Sequence, residues 1–313
     1  MIKLGILGTG DIAIKHLEVF AALDNVEITA SYNRTKARAE KAAETFKLGK
    51  IYDDYKLMIQ ENEFDALCIF VASNIIKDVT MDCLELGIPI LMEKPPGISV
   101  EEAKELENKA KEKGVQIMLG FNRRYMSTIM KAKEEVESDG GLVSINVEAP
   151  ERWTVIKAKP KFNDEILKSW FYVNGCHCLD LLKYFGGDVT KVTSTPDPEK
   201  FYRANVTFSN GALGQYQSIK DNPGNWNITL LTQNKKITLN PLEKVTIQTS
   251  GKDVEIKELD ETDTKFKPGF FLQNSYFINN IVKDKGEIKA PAVSIKEAVT
   301  IMEFMQRVEK GEN

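Results

Sequence analysis

Through its first 120 residues the chain alternates short apolar runs with helix-patterned segments, and that alternation leaves few folds open. Residues 2–7, 26–32, 66–72, 89–92 and 115–119 have strand character, whereas 12–23, 35–46, 76–86 and 100–113 read as helices. The run Ala66-Leu67-Cys68-Ile69-Phe70-Val71-Ala72 is apolar throughout, as a strand covered on both faces must be. Strands alternating with helices of this length form βαβ units, so the spacing predicts an α/β domain with a parallel, doubly wound sheet.

After Gly120 the pattern changes. Helices are predicted over 127–138 and 175–185, and the rest reads as strands joined by tight turns. Ser209-Asn210-Gly211 separates 204–208 from 212–216, a strong hairpin signal. Further turns are expected at 234–235 and 250–251, giving a mainly antiparallel sheet with helices over one face. Ala298, Ile301, Met302, Met305 and Val308 recur at helical spacing, so a helix over 294–309 should pack back on the body. A chain of 313 residues exceeds one ordinary core. The expected division is a nucleotide-binding domain over 1–120 and a substrate-binding and oligomerisation domain over 121–313.

A net charge of −4 with lysines balanced by nearby acids argues against a nucleic-acid partner. No apolar stretch reaches the length of a membrane span, so no membrane partner is expected. The start, Met1 to Gly8, reads as a first strand and not as a signal peptide. Four cysteines in so long a chain are no disulfide framework, which points to a reducing cytoplasm.

Gly8-Thr9-Gly10-Asp11-Ile12-Ala13 closes the first strand and opens the first helix. The glycines admit a pyrophosphate to the backbone, and the helix N-terminus supplies amides and partial positive charge. A dinucleotide cofactor is therefore expected. The second strand ends at Asn33-Arg34-Thr35, where an acid would hold the ribose hydroxyls of NAD. A neutral Asn33 followed by Arg34 favours the 2′-phosphate of NADP, with NAD still possible. The alternative is that Asn33 caps the next helix and Arg34 stacks on the adenine.

Glu93-Lys94-Pro95-Pro96 follows the run Ile88 to Met92 directly. The prolines fix the exit path and withhold backbone donors, so Lys94 is expected on a stiff turn at the mouth of the sheet. Its bland reading is a snorkelling surface lysine.

Taken in order, Gly8 to Ala13, His16, Glu93-Lys94-Pro95, Gly120-Phe121-Asn122-Arg123-Arg124-Tyr125 and Gly175-Cys176-His177-Cys178-Leu179-Asp180 resemble the GFO/IDH/MocA family of NAD(P)-dependent oxidoreductases. The resemblance implies a Rossmann domain followed by an α+β domain with a large open sheet, often used for homodimers or homotetramers. It implies a small sugar-like or polyol substrate. It also implies catalytic roles: His177 as acid/base, and Lys94 stabilising charge on the substrate oxygen and touching the cofactor. Ala72-Ser73-Asn74, Glu93 and Pro95 are expected near the cofactor. Arg124, Asn174, Asp180, Trp153 and Trp170 are candidates for the substrate side. His16 is expected to be structural or close to the cofactor, and Asp180, three residues after His177, to orient the imidazole or grip a hydroxyl.

Two positions depart from the family pattern. Relatives usually carry an aspartate where this chain has Val173, and a histidine where it has Lys77. Val173 keeps open a second reading, a catalytically silent NAD(P)-binding regulator or scaffold. Cys176-His177-Cys178 has no second ligand cluster at zinc spacing, so no metal is expected. Lys157 to Lys168 is expected to form a polar loop near the substrate.

Overall fold

The computed structural model describes residues 1–311. The chain divides into two compact units, one of Met1–Asn122 with Lys265–Val299, the other of Arg123–Thr264 with the residues from Thr300 on.

In the first unit, β1 (Ile2–Leu7), β2 (Val26–Tyr32), β3 (Lys50–Tyr52), β4 (Ala66–Ile69), β5 (Ile90–Met92) and β6 (Ile117–Leu119) pair in the order 3-2-1-4-5-6, all parallel. The connecting helices are α1 (Asp11–Phe20), α2 (Lys36–Phe46), α3 (Tyr55–Glu61), α4 (Ile76–Cys83) and α5 (Val100–Lys113). Strand order reverses between β1 and β4, which opens the ligand crevice of such a sheet beyond the strands' carboxyl ends. β4 is buried along its whole length, the reason its sequence lacks polar alternation.

The division at residue 120 needs correction. Residues 265–299 return to the first unit, where α11 (Phe270–Tyr276) packs against α1. A two-residue strand, β15 (Val293–Ser294), then pairs antiparallel with β6. So short a strand has no periodicity to read, which hid this return from sequence inspection.

The second unit holds β7 (Ser144–Glu148), β8 (Val189–Asp197), β9 (Phe201–Phe208), β10 (Leu213–Ile219), β11 (Asn227–Leu231), β12 (Lys235–Leu239), β13 (Lys244–Thr249) and β14 (Glu255–Glu258). Their spatial order is 14-13-12-11-7-10-9-8, antiparallel except where β7 meets β10. The β9–β10 hairpin turns at Ser209-Asn210-Gly211 as expected. Asn210 Oδ1 accepts from Ala212 N at 3.0 Å, and Gly211 has the positive φ of +85° that the turn requires. Helices α6 (Ser127–Ser138) and α9 (Cys176–Gly186) pack on one face of the sheet. The stretch from Lys157 to Lys168 is no simple loop: α7 (Trp153–Lys157) and α8 (Asp164–Lys168) bound it, and Asn163 caps α8 through Ile166 N. α10 (Glu261–Lys265) precedes α11, and α12 (Ile295–Lys310) ends the described chain. The last turns of α12 join the second unit, where Ser194 Oγ donates to Val308 O at 2.8 Å.

Candidate functional site

The first unit gathers its candidate residues at the carboxyl ends of neighbouring strands. Gly8 has φ +99°, and a Cβ there would lie 2.7 Å from the Phe70 carbonyl oxygen, so only glycine lets the end of β1 pass β4 this closely. Gly10 begins α1 without any side-chain cap, and a Cβ on it would meet nothing within 4 Å. With no side-chain cap on them, the first-turn amides of α1 are the kind of donors that a pyrophosphate takes at a helix N-terminus. Asn33 ties this loop to the end of β2: its Nδ2 donates to Thr9 Oγ1 at 2.8 Å, and its Oδ1 accepts from Thr35 N at 2.8 Å. Thr35, not Asn33, occupies the N-cap position of α2. Arg34 is exposed and forms no ion pair with a described carboxylate. Ala72, Ser73 and Asn74 make the turn between β4 and α4, while Lys77 is held in ion pairs with Asp78 and Glu105, both at 3.0 Å.

Lys94 stands out by exposure. Glu93, Pro95, Pro96 and Gly97 are all buried, and Lys94 alone in this turn is half-buried. Below it, Glu93 turns inward. Its Oε1 lies 3.1 Å from His16 Nε2, and His16 Nδ1 lies 3.0 Å from Asn274 Oδ1. The imidazole is completely buried and stacked on Phe70 with ring centroids 3.9 Å apart. Gly120 completes the clamp, since a Cβ there would come 2.6 Å from Glu93 Oε1. His16 is thus a support for the turn that carries Lys94. Its partner Asn274 is 258 residues away, and nothing in the sequence joins them. His16→Ala should lower stability by about 1–3 kcal/mol, the cost of leaving a buried polar group without its partner. Thermal unfolding checks this, and an unchanged Tm would mean that the clamp carries no load.

In the second unit, Phe171–Gly175 is a turn of π-helix leading into α9, an irregularity frequent at functional sites. His177 is the second residue of α9 and 6% exposed, with its ring centroid 6.3 Å from that of Trp226. Asn174 Nδ2 donates to Glu151 Oε1 at 2.7 Å, and Trp170 Nε1 donates to Glu151 Oε2 at 3.2 Å. Trp153 and Trp170 come together, ring centroids 6.4 Å apart. Val173 is half-buried. Asp180 faces Arg124: Arg124 Nη2 donates to Asp180 Oδ1 at 2.6 Å and Nε to Oδ2 at 3.1 Å, with both side chains 1% exposed. These two substrate candidates thus form a buried fork, and the Arg124 guanidinium also lies 4.7 Å from the Tyr184 ring centroid. Burial raises the Cys178 thiol far above its ordinary range. Glu151 was not singled out from the sequence; its signal was an acid just past the end of β7, two residues ahead of a tryptophan.

Residues 2–121 match the GFO/IDH/MocA family model, described as an oxidoreductase family with an NAD-binding Rossmann fold. Glucose-6-phosphate 3-dehydrogenase of Bacillus subtilis (strain 168) is 28% identical over 167 residues, 53% of this chain. That match spans 47% of the relative, about half its length. D-xylose 1-dehydrogenase (NADP(+)) 2 of Haloferax volcanii is 23% identical over 244 residues, covering 76% of this chain and 75% of the relative. Among solved structures, levoglucosan dehydrogenase in complex with NADH and levoglucosan superposes with a TM-score of 0.85, covering 99% of this chain and 96% of that one at 14% identity. That likeness is one of fold.

Proposed function

We propose, from the match of residues 2–121 to the GFO/IDH/MocA oxidoreductase family model, that this chain is an NAD(P)-dependent dehydrogenase or reductase acting on a CH–OH carbon of a sugar, sugar derivative or polyol. The observation that carries the reading is Lys94, half-buried on a turn whose other members are all buried. Such an arrangement seats the lysine on a buried turn while part of its side chain stays accessible. The bound nicotinamide supplies or accepts hydride. Lys94 stabilises negative charge developing on the substrate oxygen. His177 takes the hydroxyl proton during oxidation and returns it during reduction. The cradle of Gly8, Thr9, Gly10, Asp11 and Ile12 holds the pyrophosphate, and Ala72, Ser73, Asn74 and Pro95 border the cofactor. Assaying sugars, polyols, sugar phosphates and nucleotide sugars with both oxidised and reduced cofactors tests this, read by nicotinamide absorbance.

NADP is the preferred cofactor because neutral Asn33 and exposed Arg34 follow β2, where an acid would hold the ribose hydroxyls of NAD. Arg34→Ala should weaken NADP binding about tenfold or more, the loss of one charge-assisted contact of about 1.5 kcal/mol. NAD binding should not change. Titration of both cofactors checks this, and equal effects on the two would remove the phosphate role.

One observation favours a second reading. Val173 replaces an acid with an apolar group on the turn before His177. Tight NADP binding with no turnover across the whole panel would identify a catalytically silent regulator or scaffold. We further propose a homodimer or homotetramer through the face of the β7–β14 sheet opposite α6 and α9, with sedimentation as the test. The four cysteines are buried and unbridged, which supports a cytoplasmic location.

A further inference from the structure

A cavity of about 300 Å³ lies within the second unit, between α7, α8, the π-turn and the ends of β9 and β10. We propose that it binds the non-reacting ring of a neutral two-ring substrate, a disaccharide or an aryl glycoside; this rests on the dehydrogenase reading given above. The volume is at the lower end of the range for small-molecule sites, about 300–1,000 Å³, and suits one ring rather than a whole dinucleotide or nucleotide sugar.

The walls are aromatic on several sides. The indoles of Trp153 and Trp170 are inclined at 56°, and Phe171 stacks on Tyr202 with centroids 4.0 Å apart. Such faces match the C–H surface of a pyranose or the plane of an aryl aglycone. The cavity is no accidental gap in an apolar core, because polar groups are built into it. Glu151, 9% exposed, is fixed there by Trp170 and Asn174, and Lys220 Nζ sits 4.0 Å over the Trp153 ring while donating to Pro198 O.

Charge selects a neutral ligand. The lining carries Glu151, Asp164 and Glu199 against Lys168 and Lys220, so acids outnumber bases. No arginine is among the lining residues, and a phosphate would lack the forked donor that suits it.

Position identifies the bound part as the one that does not react. Gly175 lines the cavity two residues before His177, but the imidazole itself is not in the lining. A Cβ on Gly175 would lie 3.2 Å from Phe171 Cδ2 and 3.6 Å from Tyr216 Oη, so glycine keeps this side clear. Because Gly175 lines the cavity and His177 does not, we assign the cavity to the ring that does not react and place the reacting ring one glycosidic bond further along the same turn.

The test uses the full chain. Trp153 and Trp170 report binding by fluorescence, titrated with glucose, xylose, cellobiose, maltose, trehalose and 4-nitrophenyl glucosides, with and without NADP. Two-ring ligands should bind at least tenfold more tightly than monosaccharides. Leu167→Trp, which adds bulk to the lining, and Tyr202→Ala, which removes a wall, should each cut that ratio to below threefold; Tyr202→Phe should retain it. Equal binding of one- and two-ring ligands, no response to any of them, or a ratio untouched by the variants would overturn the inference. Turnover separates it from the parent reading. Selective two-ring binding without NADPH chemistry would leave the subsite and remove the dehydrogenase. Turnover of monosaccharides alone, indifferent to the cavity variants, would do the opposite.

Discussion

Lys94→Ala is expected to lower turnover by about a hundred- to a thousandfold, the range found when one preorganised electrostatic donor is deleted from an active site. The turn itself should survive. Its shape comes from the buried Pro95 and Pro96 and from the inward Glu93–His16 contact. Tm should therefore stay close to that of the parent chain, and NADP affinity should fall only modestly. Lys94→Arg should rescue little, because a planar guanidinium is not a compact charge on a flexible stem. Rates measured beside thermal unfolding and cofactor titration separate these outcomes. A variant that keeps near-normal turnover would return Lys94 to an ordinary surface lysine.

The same turn shows how much the sequence could reveal. The parallel sheet was legible because β1, β2 and β4 are apolar runs spaced by helices, and burial on both faces writes itself into composition. Gly8 was legible because only glycine tolerates both its positive φ and its close approach to the Phe70 carbonyl. What supports Lys94 was hidden. His16 and Asn274 meet only because residues 265–299 fold back onto the first unit, and no local pattern encodes that return. β15 escaped for a related reason, being two residues long. In the second unit the hairpin of β9 and β10 announced itself through Asn210-Gly211, whereas the aromatic cavity did not. Its walls come from α7, the π-turn, β9 and β10, and a tryptophan in sequence looks the same whether it lines a cavity or fills a core.

Asp180→Ala should destabilise the chain by about 3–5 kcal/mol, the cost of leaving one partner of a buried ion pair alone. The Arg124 guanidinium would remain among buried neighbours with its carboxylate gone. At a few degrees per kcal/mol for a unit of this size, Tm should drop by roughly 10 °C. Arg124→Met combined with Asp180→Leu should recover most of that loss, since an apolar pair of similar volume has no stranded charge. The two single losses should therefore sum to far more than the double one. This result bears on chemistry because Asp180 and His177 share the first turns of α9. If the pair serves to seat that helix, Asp180→Ala lowers Tm and the double variant restores both Tm and turnover. If Asp180 instead grips a substrate hydroxyl, Tm stays near normal, KM rises, and the double variant remains impaired. The geometry, with both side chains 1% exposed and bonded to each other, favours the first outcome.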